Sequence, residues 1–356
     1  MTRMYRALVA TAPRLAELVE YSDREIASDE VLIKTLFASP KHGTDLPDFR
    51  GESVFMDEKF DPEWNIFVHR DAGEVRGVLF GSWNIGNMYA GRVLKAGQNV
   101  KEFAEGDLVA SYGPIRETQI AKAVGNYRLR KIPSVASSRN AMCYDPAQFA
   151  LGAVRDANIR PGEAVGIFGL GAIGLIAIKL CKLAGASLVV GFDPLPTRRV
   201  LADSWGADAT FDPREVDAGL ELKKLTKARG VDAIIETSAS PRALQASLRG
   251  LGYGGVIAFV GFGKEIKGGL NFGREAHFNN ARIIFSRASS EPNPEYPRWS
   301  RRRIEDTVWE MLMSGKLACD DMITPIVPFD QCSDAYMKFV DREPDASVKM
   351  GVQFDA

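Results

Sequence analysis

One stretch constrains this chain more than any other: Ala164-Val-Gly-Ile-Phe-Gly-Leu-Gly-Ala-Ile-Gly174. Its first residues are apolar or glycine without interruption, the pattern of a strand buried on both faces. Such a strand needs helices on each side, so the surrounding chain must alternate strands with helices. It does. Ala147 to Ile159 has helical spacing, Arg160-Pro161-Gly162-Glu163 makes a turn, and Ala172 to Gly185 reads as a long apolar helix. Ser187-Leu-Val-Val-Gly-Phe-Asp193 is a second strand and Arg198 to Trp205 a second helix. Val231 to Thr237, Gly255 to Val260 and Arg282 to Ser286 supply three more strands. The expected fold class is α/β, a doubly wound parallel sheet of the Rossmann kind.

The glycines then acquire roles. Gly169 permits a tight turn, Gly171 lets a pyrophosphate approach the bare backbone, and Gly174 lets the helix pack closely on the strand. Ala172 and Ile173 open the helix, whose unpaired N–H groups and positive dipole end suit phosphates. The second strand ends at Asp193, 19 residues beyond Gly174. A carboxylate there accepts from both ribose hydroxyls of NAD and repels the 2′-phosphate of NADP. Arg198 and Arg199 follow closely, and guanidinium suits a 2′-phosphate. The expected cofactor is NAD.

At 356 residues the chain suits two domains. The first 140 or so residues are strand-rich and punctuated by glycine, with strands expected at Val31 to Phe37, at Gly91 to Gly97 and after Gly106-Asp107. A net charge of -1 argues against nucleic acid or an acidic membrane surface as partner. No stretch approaches the roughly 20 apolar residues that span a bilayer. The first residues read as a strand and not a signal peptide, so a cytoplasmic location is expected. Cys143, Cys181, Cys319 and Cys332 form no C-x-x-C pair, and ordinary buried residues are the expectation for all four.

Together these stretches resemble the medium-chain dehydrogenase/reductase superfamily, the alcohol and sorbitol dehydrogenase group. Val31 to Asp45 resembles the early strand and the loop ending Cys-Gly-Thr-Asp. Gly86 to Val109 is similar to the stretch from Gly-His-Glu to Gly-Asp-Arg-Val, and Asp145-Pro146 to its Glu-Pro. Ser347-Val-Lys-Met-Gly-Val resembles its last strand. The resemblance implies a β-rich, GroES-like catalytic domain split between residues 1–146 and 290–356, around an NAD-binding Rossmann domain at 147–289. It also implies a homodimer or homotetramer, joined near Arg282 to Phe285. Lys349 is expected beside the pyrophosphate and paired with Asp45.

Departures from the family shape the expected chemistry. His42 stands where the first zinc-binding Cys would be, and Asn87 where the zinc-binding His would be. Asp145 holds a potential third ligand beside His42, and no Cys lies between Ala110 and Ile132 to form the structural zinc lobe. A catalytic zinc takes three protein ligands, so this set is one short and no metal is expected. A positioned acid or base must then move the hydroxyl proton, an effect worth roughly 10²–10⁴-fold. Thr44 matches the family's relay hydroxyl. His42 would face substrate, and Lys41 could act as base or oxyanion stabiliser or simply be solvated. Asp145 could contact substrate, orient His42, or cap a helix starting at Pro146.

Between His42 and Asn87 the chain is longer than in the family. The extra segment, about Phe49 to Trp83, carries Trp64 and Trp83 among other aromatics. Flat rings beside polar groups suit a sugar or cyclitol, though they also pack an insertion onto its domain. Asn87, Tyr89, Trp64, Trp83 and Trp299 are the substrate-contact candidates, with a rigid Pro-rich connector the alternative at Ser289 to Trp299. The expected function is zinc-independent, NAD-linked transfer of hydride from a secondary alcohol of a hydroxylated ring. An NADPH-dependent enone or quinone reductase and an inactive nucleotide-binding protein are the alternatives.

Overall fold

Ala164–Phe168 is buried at every position, and a strand of that kind must sit in the middle of a sheet. In this computed structural model, which describes residues 3–74, 77–262, 266, 268–288, 293 and 295–355, it does. Leu188–Phe192 pairs with it on one side and Val231–Glu236 on the other, both parallel. The full order is Ala209–Phe211, Leu188–Phe192, Ala164–Phe168, Val231–Glu236, Leu251–Phe259, Arg282–Phe285. The order reverses between Ala164–Phe168 and Val231–Glu236, and in such sheets ligands bind at the carboxyl ends of the strands beside that reversal. The three-residue strand Ala209–Phe211 was not among the expected strands; it is too short and too polar around its ends to show a period.

The helix after the glycine motif, Ala172–Leu183, buries seven of its residues, among them Leu175, Ile176, Ile178 and Leu180. Each large side chain removed from water contributes roughly 1.5–3 kcal/mol, which anchors the helix N-terminus against the sheet. At the carboxyl ends of three neighbouring strands Phe168, Phe192 and Phe211 stack, with ring centroids 4.6 and 5.8 Å apart. That stack makes a firm floor beneath the loops that follow.

The chain divides into two compact units, one of residues 1–142 with 323–356 and one of residues 143–322. The expected boundaries lie at 146/147 and 289/290. Residues 295–322 cluster with the parallel sheet because the helix Arg301–Met313 packs on the helix Tyr144–Asp156. There the Tyr144 hydroxyl donates to buried Glu305 at 3.0 Å and the Tyr144 ring meets Trp309 edge-on. Residues 289–292 and 294 of the expected Pro-rich connector lie outside the described residues.

The other unit is β-rich. Glu30–Ser39 runs through its main sheet, paired antiparallel with Met88–Ala96, Thr118–Lys122 and Lys349–Gln353. Lys349–Gln353 also pairs parallel with Ile323–Pro328, so the last strands of the chain share a sheet with the early strand Glu30–Ser39. The insertion contributes a small hairpin, Glu58–Asp61 with Ile66–His69. Among the described residues no helix is long and apolar enough to cross a membrane. All four cysteines are buried, and none forms a disulfide.

Candidate functional site

The glycine loop shows why each position is glycine. Gly169 has φ +87°, and a Cβ there would meet Thr237 Oγ1 at 2.8 Å. At Gly174 a Cβ would lie 1.9 Å from the Gly169 carbonyl oxygen, so the helix sits directly on the turn. Nothing lies within 4 Å of a Cβ at Gly171, the N-cap of the helix. The loop therefore presents open backbone and the first N–H groups of Ala172, Ile173 and Gly174 on one side. Thr237, at the head of the neighbouring strand, braces the loop by donating to the Gly169 carbonyl at 2.8 Å. Next to it the Glu236 carboxylate is fully buried and accepts from the Ser238 and Ala239 N–H groups and from the Ser238 hydroxyl. Burial pushes the Glu236 carboxyl above its usual range. No motif in the sequence pointed to Glu236 or Thr237.

Asp193 is 3% exposed, and both its oxygens are held by loop amides: Leu170 N–H at 2.7 Å and Leu195 N–H at 2.9 Å. Arg198 lies 3.7 Å from the same carboxylate, while Arg199 donates to the Asp193 carbonyl at 2.7 Å. A carboxylate fixed between two strand-end loops keeps its negative charge in one place.

In the β-rich unit the loop Pro40–Thr44 is stitched to the last strand. Ser39 Oγ donates to the Met350 carbonyl at 2.7 Å, and the Lys349 ammonium to the Pro40 carbonyl at 2.9 Å. The Met350 N–H donates to Nε2 of His42 at 3.0 Å. Lys349 is 4% exposed, and one of its ammonium hydrogens goes to this loop. The His42 bond changes the expected chemistry. A nitrogen that accepts a hydrogen bond is deprotonated, so His42 carries its proton on Nδ1, and Nε2 is engaged. Lys41 and His42 are half-buried. Thr44 sits at the N-cap position of the short helix Asp45–Arg50, and its side chain makes no capping bond.

Asn87 ends the neighbouring strand pairing by backbone bonds with Ser39 and Gly113, and its buried Oδ1 has no hydrogen-bond partner among the described residues. Tyr89 is 1% exposed within the hydrophobic core of this unit, where burial pushes its phenol up. Asp145 lies in the first turn of Tyr144–Asp156, buried, accepting from Gln148 Nε2 at 3.2 Å. The helix begins three residues earlier than Ala147, so Asp145 is inside it and is not its cap. Trp64 is 71% exposed at the tip of the insertion hairpin, where Asp61 Oδ1 accepts from the Glu63 and Trp64 N–H groups. Trp83 packs on the core from a short strand paired with Ala10. The guanidiniums of Arg155 and Arg303 lie 3.5 and 4.3 Å from the Trp299 ring centroid.

The described residues contain no group of three or more His, Cys, Asp or Glu placed to hold a metal ion. The donor set does not fit a catalytic zinc: Nε2 of His42 is engaged and the next position is an amide, Asn87.

Known proteins match this architecture. The chain is 54% identical to D-guloside 3-dehydrogenase of Escherichia coli K12, over 98% of this chain and the whole of that protein. The chain belongs to the medium-chain dehydrogenase/reductase superfamily. Residues 172–302 match the family of zinc-binding dehydrogenases. L-threonine 3-dehydrogenase of Pyrococcus horikoshii is 30% identical, over 94% of this chain and 95% of its own length. The solved structure of 2R,3R-butanediol dehydrogenase from Bacillus subtilis has the same fold, with a TM-score of 0.76 at 20% identity and 99% of each chain covered. This member of the superfamily is therefore an oxidoreductase acting on CH–OH groups, with a nicotinamide cofactor. Its fold class is the expected one, a Rossmann sheet with a GroES-like β-rich partner.

Proposed function

We propose that this chain is a zinc-independent, NAD-linked dehydrogenase that oxidises a secondary hydroxyl on the ring of a sugar glycoside, a D-guloside or a close relative. The observation that carries the substrate class is the 54% identity to D-guloside 3-dehydrogenase along its full length. The NAD preference rests on Asp193, whose anchored carboxylate suits ribose hydroxyls and repels a 2′-phosphate. Gly169, Gly171, Ala172, Ile173 and Gly174 would hold the pyrophosphate at the helix N-terminus. The nicotinamide, when bound, supplies the hydride acceptor.

The chain's own side chains handle the proton and the ring. Thr44 Oγ1 can take the hydroxyl proton while passing its own to water at the partly exposed loop Lys41–Thr44. His42 holds a proton at Nδ1 and can donate there, because Met350 occupies Nε2. Lys41, beside it in the loop, adds a cation that favours the alkoxide. Asn87 Oδ1, buried with its acceptor capacity unmet among the described residues, suits a ring hydroxyl. Residues 1–142 with 323–356 would form the catalytic domain and 143–322 the cofactor domain.

We also infer a homodimer or homotetramer. Arg282–Phe285 is the last strand in the order of the parallel sheet, and Phe285 is 79% exposed there. A screen of hexosides, polyols and simple alcohols with NAD or NADP, and of enones with NADH or NADPH, tests the function. Turnover of hexosides with NAD is expected. Turnover confined to enones with NADPH would replace the proposal with a double-bond reductase.

A further inference from the structure

Asp212 follows the short strand Ala209–Phe211 as Asp193 follows Leu188–Phe192. The register Phe192↔Phe211 sets the two aspartates side by side at the carboxyl end of the sheet, and the Asp193 N–H donates to the Phe211 carbonyl at 3.2 Å. Asp212 is 6% exposed. Its carboxylate gathers two guanidiniums. Arg214 donates through Nε at 3.0 Å and Nη2 at 2.6 Å, one to each oxygen, and Arg199 Nη1 lies 3.4 Å away. Arg199 is stretched between Asp212 and the Asp193 carbonyl, and Arg214 between Asp212 and the Pro194 carbonyl at 2.7 Å.

Guanidinium forks are the best protein groups for binding a phosphate in two-point fashion. Two of them stand next to the residue that reads the ribose, and both face a carboxylate instead. We propose that Asp212 is a second specificity-determining residue for the dinucleotide: it sequesters Arg199 and Arg214, so that neither can grip a 2′-phosphate. Asp193 and Asp212 then act differently. Asp193 repels the phosphate directly, whereas Asp212 acts through the two arginines it holds.

This inference rests on the NAD reading, and direct binding separates the two. The measurement is the dissociation constant for NAD, NADP and adenosine 2′-monophosphate by calorimetry, on the wild type, Asp212→Asn, Asp212→Ser, and Asp212→Asn combined with Arg199→Ala and Arg214→Ala. The wild type should bind NAD more tightly than NADP. Either Asp212 variant should tighten NADP and adenosine 2′-monophosphate about tenfold while NAD changes less than about threefold. Removing both arginines should abolish that gain. Unchanged NADP binding in whichever Asp212 variant keeps the native circular dichroism overturns the proposal, as does a gain that survives loss of both arginines. A wild type that prefers NADP rejects the NAD reading itself, whatever Asp212 does.

Discussion

Replacing Gly171 by alanine should separate cofactor binding from folding. Gly171 has φ -72° and ψ -171°, which alanine adopts without strain, and a Cβ there meets nothing within 4 Å. Alanine at an N-cap costs about 0.5–1 kcal/mol relative to better caps. Losing the flexibility of glycine in the unfolded chain returns about 0.4–1 kcal/mol. The two nearly cancel, so the melting temperature without cofactor should move by less than about 3 °C. The new methyl, however, fills the open space over the helix N-terminus. If a pyrophosphate approaches there, the NAD dissociation constant should rise at least about tenfold, or about 1.4 kcal/mol. Gly174→Ala is the contrast. Its Cβ would sit 1.9 Å from the Gly169 carbonyl, so the unliganded protein itself should lose about 2–3 kcal/mol. Thermal unfolding and NAD titration by fluorescence quenching read both variants. Gly171→Ala with unchanged NAD affinity would refute the assignment of the loop.

Further consequences can be checked separately. His42→Gln keeps an acceptor for the Met350 N–H but removes the imidazole proton, so turnover should fall roughly 10²-fold or more while stability changes by less than about 1 kcal/mol. Equal turnover would assign His42 to structure alone. Phe285→Asp places a charge on the exposed edge strand and should shift size-exclusion chromatography or sedimentation toward monomer; an unchanged oligomer would move the interface elsewhere. The Arg214 hydrogen bond holds the Asp212 carboxyl down to about 2, against 3.8 for the free side chain. A carboxyl whose pKa is lowered on folding contributes stability above its unfolded value and loses it as pH falls. Asp212→Asn should therefore flatten the loss of stability between about pH 4 and pH 2 in acid titrations followed by circular dichroism. An unaltered acid limb would show that the pair contributes nothing to folding.

Much of the fold was legible because its determinants are local. Apolar runs such as Ala164–Phe168 announce buried strands, and the glycine spacing marks the turn between strand and helix. The strand Ala209–Phe211 was not legible: three half-buried residues carry no period, and its place is set by pairing with Leu188–Phe192. Asp212 was hidden with it. The start of Tyr144–Asp156 was missed because Asp145-Pro146 looks like a cap but lies within the first turn. The loop around His42 shows the limit most clearly. Its residue types suggested proton chemistry, yet its orientation comes from Met350, 308 positions along the chain. A contact of that separation leaves no periodic trace. The Arg155 guanidinium over Trp299 comes from a helix distant in sequence and was illegible for the same reason.

The most direct test of the account is the initial rate of D-guloside oxidation with NAD, followed by the absorbance of the reduced cofactor, on enzyme stripped of metal by a chelator. Metal-free enzyme that keeps full turnover with NAD is the predicted result. Activity that vanishes with the metal and returns with added zinc would contradict the zinc-independent chemistry assigned to His42, Thr44 and Lys41.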